Sequence, residues 1–184
     1  MSAKAASIQG CIDGLIGLLV NPEGDRRVFS ELCRRDPKLA KDKPEIFYAE
    51  YKPSKLALGC VYWVGCCANH RIEHKEFKNL YFKNVMQLFQ SPDSLAQATR
   101  FSEGLYASNA DTEQSPALGV LVHLFHKLGL RPMSDTSPKG GEVSAGFHFM
   151  MEVAEALKVA FEAQFDDFFY AHKDLCTAGA GKKE

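Results

Sequence analysis

Residues His70-Arg71-Ile72-Glu73-His74 hold the densest chemistry in this chain of 184 residues. If the segment is helical, two imidazoles four residues apart share a face, with the Glu73 carboxylate beside them. Such a pair can bind zinc while the carboxylate activates a water on it. A second pair, His123 and His126, lies three apart among Leu121, Val122 and Phe125. Periodicity turns His126 toward the core. His148, Glu152 and Glu155 gather near one side of the last helix and are candidates for iron or zinc beside His70 and His74. Cys66 and Cys67 are adjacent, a spacing that suits neither redox pairs nor zinc. They and the other cysteines read as reduced thiols packed as small hydrophobes. There is no glycine-rich phosphate loop and no GxSxG.

The run His70-Arg71-Ile72-Glu73-His74-Lys75-Glu76-Phe77-Lys78 resembles the inverted-zincin signature of the insulinase-like metallopeptidases. The resemblance implies that His70 and His74 are zinc ligands, Glu73 the catalytic base and Glu152 the third ligand. It covers this run and one distant glutamate. That family is built on a larger mixed α/β module, for which this chain supplies no convincing sheet. A second, looser likeness is to the globins. Gln97 and His126 stand about thirty positions apart, similar to a distal residue and a proximal histidine, and a long helix lies near the C-terminus. By that likeness His126 would ligate haem iron, Gln97 would steady a bound ligand, and Phe77 would fall near the family's pocket phenylalanine.

These residues must be positioned by helices. Residues 6–20 form a first helix in which Gly10, Gly14 and Gly17 share a face open to a close neighbour. Asn21-Pro22-Glu23-Gly24 marks a turn, and a short helix follows to Arg35. Residues 45–64 are either a short strand or a buried helical segment. A helix capped by Asn69 runs to about Gln90, with Phe77, Tyr81, Val85 and Leu88 as its inner stripe. Leu95, Ala98, Phe101, Leu105 and Tyr106 give the next helix its inner face. Pro116 opens another, closed at Gly129. Residues 131–141 form a surface loop rich in Pro, Ser, Asp and Gly. The last helix carries Phe147, Met150, Ala154, Leu157, Phe161, Phe165, Phe168 and His172 on one stripe. Continued to Leu175 it would approach 50 Å, so a bend or break is expected.

Composition favours a compact all-α bundle, with a globin-like arrangement as one form of it. Residues 1–176 are expected to make a single helical domain and 177–184 a flexible tail. With 46% hydrophobic residues, 13 phenylalanines and a net charge of −1, the chain suits a packed core and gives nucleic-acid binding little support. The apolar start carries Asp13 and reads as a buried helix, not as a leader or membrane span. The expected setting is cytoplasmic. The leading reading is a helical protein that holds haem or a transition metal, zinc or iron, through histidines. One alternative is a non-enzymatic interaction or structural protein, with a homodimer or a small ligand as its partner. The other is a zinc-dependent hydrolase working through HxxEH.

Overall fold

The computed structural model describes residues 8–37, 39, 44–90, 94–109, 115–133 and 142–177. Eight helices follow in order: α1 (Ile8–Leu19), α2 (Pro22–Arg35), α3 (Pro44–Asn69), α4 (Lys75–Gln87), α5 (Leu95–Asn109), α6 (Pro116–Lys127), α7 (Ala145–Ala171) and α8 (Lys173–Thr177). The described residues form no sheet, and one isolated antiparallel bridge joins Met133 to Val143. The chain is an all-α, multi-helix bundle. No described helix is long and apolar enough to cross a membrane. Most of the loop expected at 131–141, and the tail from 178 onward, lie outside the described residues; Thr177 closes α8.

Helix α3 is the axis of the bundle, packing against α1, α2, α4, α5, α6 and α7. Residues 53–60 are buried without interruption. A helix enclosed on all sides must be apolar around its whole circumference, and that is why this stretch shows no clear periodicity. The open choice between strand and helix at 45–64 therefore resolves to helix. Pro53 removes one backbone donor, and the Ser54 hydroxyl adds a bond to the Glu50 carbonyl at 2.9 Å. Lys55 is 2% exposed and pairs with Asp25 of α2, its ammonium 4.9 Å above the Tyr51 ring. Burial pulls the Lys55 pKa down, and the Asp25 carboxylate works against that shift.

The end of α3 is set by backbone geometry. Arg71 adopts a left-handed φ of 53°. The Ile72 amide donates to the Cys67 carbonyl at 2.9 Å, and the Arg71 amide to the Ala68 carbonyl at 3.0 Å. These two bonds define a Schellman ending, with buried Ile72 as its apolar anchor. The chain then restarts as α4. Asn69 is the last residue of α3, so the expected continuous helix from Asn69 to Gln90 is broken across 70–74.

Aromatic rings join α3, α4 and α7. Trp63 stacks on Phe77 at 5.2 Å and on Tyr81 at 5.3 Å, and meets Phe165 edge-on at 5.1 Å. Its indole N–H donates to the Lys78 carbonyl at 2.9 Å. The expected stripe of the last helix is buried at Phe147, Met150, Ala154, Phe161, Phe165 and Phe168. The expected break falls at His172, the C-cap of α7.

Helix α5 departs from its expected face. Leu95 and Tyr106 are exposed, and the buried positions are Phe101, Gly104 and Ser108. Small residues let α5 approach α3 closely: a Cβ at Gly104 would lie 3.3 Å from that of Ala57. The α5–α6 contact is tighter still. A Cβ at Gly119 would meet the Ala107 carbonyl oxygen at 2.4 Å. On α1, a Cβ at Gly14 would meet Gln164 of α7, while a Cβ at Gly17 would meet open space.

Candidate functional site

The histidines do not converge. His70 lies in the turn after α3, where its Nε2 sits 2.6 Å from Asp166 Oδ1 of α7. Its ring packs 4.0 Å from Phe169 and 5.6 Å from Phe165. His74 is the N-cap of α4, and its Nδ1 accepts from the Phe77 amide at 3.0 Å. A ring nitrogen that accepts a backbone N–H has spent its lone pair, and in the neutral imidazole the other nitrogen then carries the proton. Glu73 is exposed in the same turn. Glu152 is exposed on α7 and sits 3.4 Å from His148. Both are surface groups within one helix.

The loose haem constellation also fails to assemble. His126 is exposed near the end of α6, because the buried stripe Val120, Leu121, Leu124, Phe125 and Leu128 turns it outward. Its neighbour His123 lies 3.8 Å from Glu103, which binds Lys127 at 2.8 Å. Burial, reinforced by the Lys127 ammonium, lowers the His123 pKa. Gln97 is half-buried near the start of α5. Phe77 is occupied by the Trp63 stack and by Phe168. Among the described residues no group of three or more His, Cys, Asp or Glu side chains is placed to hold a metal ion. The expectation of haem, zinc or iron held through histidines is therefore corrected, and with it the zinc-hydrolase alternative. The physical reason is that the candidate side chains are spent on a helix cap, an inter-helix hydrogen bond and surface pairs.

The bundle instead contains a cavity of about 780 Å³ between α3, α4, α5, α6 and α7. Helix α3 supplies Cys60, Val61, Tyr62, Val64 and Gly65; α4 adds Phe82. The opposite side comes from Leu105, Ser108 and Asn109 of α5, then Ser115 and the first turns of α6 through Leu121. Met151, Ala154, Glu155, Lys158 and Glu162 of α7 complete it. Val64 and Phe82 are exposed, so the cavity has an open, apolar lip.

Three of its polar side chains donate within the protein. The Tyr62 hydroxyl donates to the Ala154 carbonyl at 2.8 Å. The Ser108 hydroxyl and the Asn109 side-chain amide both donate to the Leu105 carbonyl, at 2.7 and 3.1 Å. Burial pushes the Cys60 thiol up to about 12, so it stays protonated at neutral pH. Among the described residues charge is confined to the α7 edge, where Lys158 lies 3.4 Å from Glu155 and Glu162 follows one turn later. A cavity with apolar walls, few polar groups and this volume is of the size that encloses a small molecule.

Of these residues the sequence singled out Glu155 alone, and for a metal site, not for a cavity. The lining is drawn from five helices, and on each one its members look like ordinary stripe or surface positions. The nearest signal was Gly65, a glycine deep inside a long helix, where it costs helix stability unless something else needs the space. No protein-family model, no curated protein and no solved structure matches this chain.

Proposed function

We propose that this chain is a non-enzymatic helical binding protein that takes a small apolar ligand into the cavity between α3, α5, α6 and α7. The observation that carries the reading is the pairing of an apolar cavity of about 780 Å³ with Tyr62, Ser108 and Asn109 side chains that donate to the protein's own carbonyls. An occupant there gains by losing apolar surface to the walls, at roughly 25 cal/mol per Å² buried. The Tyr62 and Ser108 hydroxyl protons are spent within the protein, so the α3 and α5 walls ask little of an occupant in polar pattern. The protonated Cys60 thiol supports binding over covalent chemistry. The proposed setting is the cytoplasm, which six free cysteines support.

The test uses a neutral fluorescent probe, N-phenyl-1-naphthylamine. Gly65→Phe is the blocking variant. A Cβ at Gly65 meets nothing within 4 Å, and Gly65 lines the cavity, so a side chain can start there without a clash. Saturable binding of one probe per chain, weakened at least tenfold by Gly65→Phe with the helical circular dichroism unchanged, is the expected result. Absence of binding, or binding indifferent to Gly65→Phe, overturns the reading. So does a dimer in sedimentation that Gly65→Phe dissociates, because a second copy would then be the occupant.

A further inference from the structure

The cavity has a chemically defined rim as well as an apolar interior. Among the described residues, the charged members of the lining all belong to one edge, the α7 face formed by Glu155, Lys158 and Glu162. Lys158 is engaged by Glu155 at 3.4 Å. Glu162 has no ion-pair partner among the described residues, and it is only partly exposed. The rim therefore carries two carboxylates against one ammonium. Their field reaches the floor. Burial comes first in raising the Tyr62 hydroxyl, and Glu155 and Glu162 add to it. Glu162 likewise adds to the burial that raises the Cys66 thiol, up to about 12. The described residues of the far walls offer no compensating cation; they are apolar side chains together with Ser108, Asn109 and Ser115.

Resting on the binding reading above, we infer that the ligand is a cationic amphiphile. Its apolar body fills the space between α3, α5 and α6, and its single positively charged head group stands against Glu162 at the α7 rim. Size decides against the other apolar occupant, a partner's helix. A helix 10 Å across sweeps roughly 420 Å³ per turn. The cavity would hold fewer than two such turns, and its walls come from five helices. A molecule with a chain or ring system and one ammonium matches both the volume and the one-sided charge. The carboxylate attracts the head group across a wet rim. The effect is therefore one of selectivity, and it weakens as salt rises.

The experiment compares three ligands with the same twelve-carbon chain: dodecyltrimethylammonium, dodecanol and dodecanoate. Each is titrated into the full chain below its micelle-forming concentration, by displacement of the neutral naphthylamine probe. The wild type is expected to bind the cation about five- to tenfold tighter than the alcohol, with the carboxylate weakest. Glu162→Gln is expected to erase most of the gap between cation and alcohol by weakening the cation. Raising the salt from low to molar concentration should shrink the same gap in the wild type. Equal affinity for cation and alcohol, or preference for the carboxylate, overturns the inference while leaving the apolar cavity reading intact. A gap that persists in Glu162→Gln also overturns it, because the charge would then act elsewhere. If none of the three displaces the probe and the probe itself does not bind, the cavity reading fails as well.

Discussion

A single ring nitrogen decides the fate of the most suggestive motif. His74 accepts the Phe77 amide and so closes the first turn of α4. A side-chain acceptor at an N-cap contributes about 1 kcal/mol. His74→Ala is expected to lower stability by about that amount in urea unfolding, while His74→Asn, a better capping residue, keeps it. A variant pair with equal stability would contradict the capping role. The buried pair of Lys55 and Asp25 makes the opposite kind of prediction, because one partner is far more costly to lose than the other. Asp25→Asn leaves an ammonium in an apolar site and should cost about 3 kcal/mol. Lys55→Met removes the charge with its stem volume roughly kept, and leaves Asp25 near the surface, so the loss should be clearly smaller. Urea midpoints of the two variants check the order.

Among the elements, long stripes were legible and endings were not. Helix α7 shows its buried face in the spacing of its phenylalanines, and its length alone foretold the break at His172. The end of α3 was hidden because its left-handed residue is Arg71, where glycine would have announced it. That one residue turned an expected HxxEH helix into a helix end, a turn and a new cap. Helix α5 misled for a different reason. Its contact with α3 runs through Gly104 and Ala57, so the large side chains that define a hydrophobic stripe are partly left outside. The α5–α6 contact offers a direct check. In Gly119→Ala the new methyl group would meet the Ala107 carbonyl, and backbone cannot swing aside as a side chain can. Overpacking of this kind costs about 1–3 kcal/mol, against about 1 kcal/mol of helix propensity gained. Net destabilisation is expected, together with weaker probe binding, because α5 and α6 both wall the cavity. A stabilised Gly119→Ala protein would contradict the close approach.

At the scale of the whole molecule, burial governs both the thiols and the cavity. Cys11, Cys60, Cys66 and Cys67 are pushed up to about 12, and Cys176 to about 11, from an ordinary 9.0. Desolvation is the largest cause in each. In the unfolded chain these thiols ionise near 9; in the folded chain they hold their protons. The stability they contribute is fully present below pH 9 and is lost as pH rises through 11 to 12. Lys55 acts in the other direction, since its lowered pKa means stability gained as pH climbs toward 10.5, but it is one group against five. The urea midpoint should therefore hold level to about pH 9 and fall beyond it; a level midpoint at pH 10.5 would contradict the buried thiols. The all-α architecture followed from periodicity and composition. The cavity did not, because an empty volume is a property of five helices together and of no single stretch of sequence.

The most direct test of the binding reading is where a ligand sits. Methyl groups of Val61, Leu118, Leu121 and Met151 can be followed by nuclear magnetic resonance as the neutral naphthylamine probe is added. Saturating shifts at these cavity methyls, with the buried Leu32 of α2 unmoved, are the predicted result. Shifts confined to residues outside the cavity lining, or none at all, would contradict it.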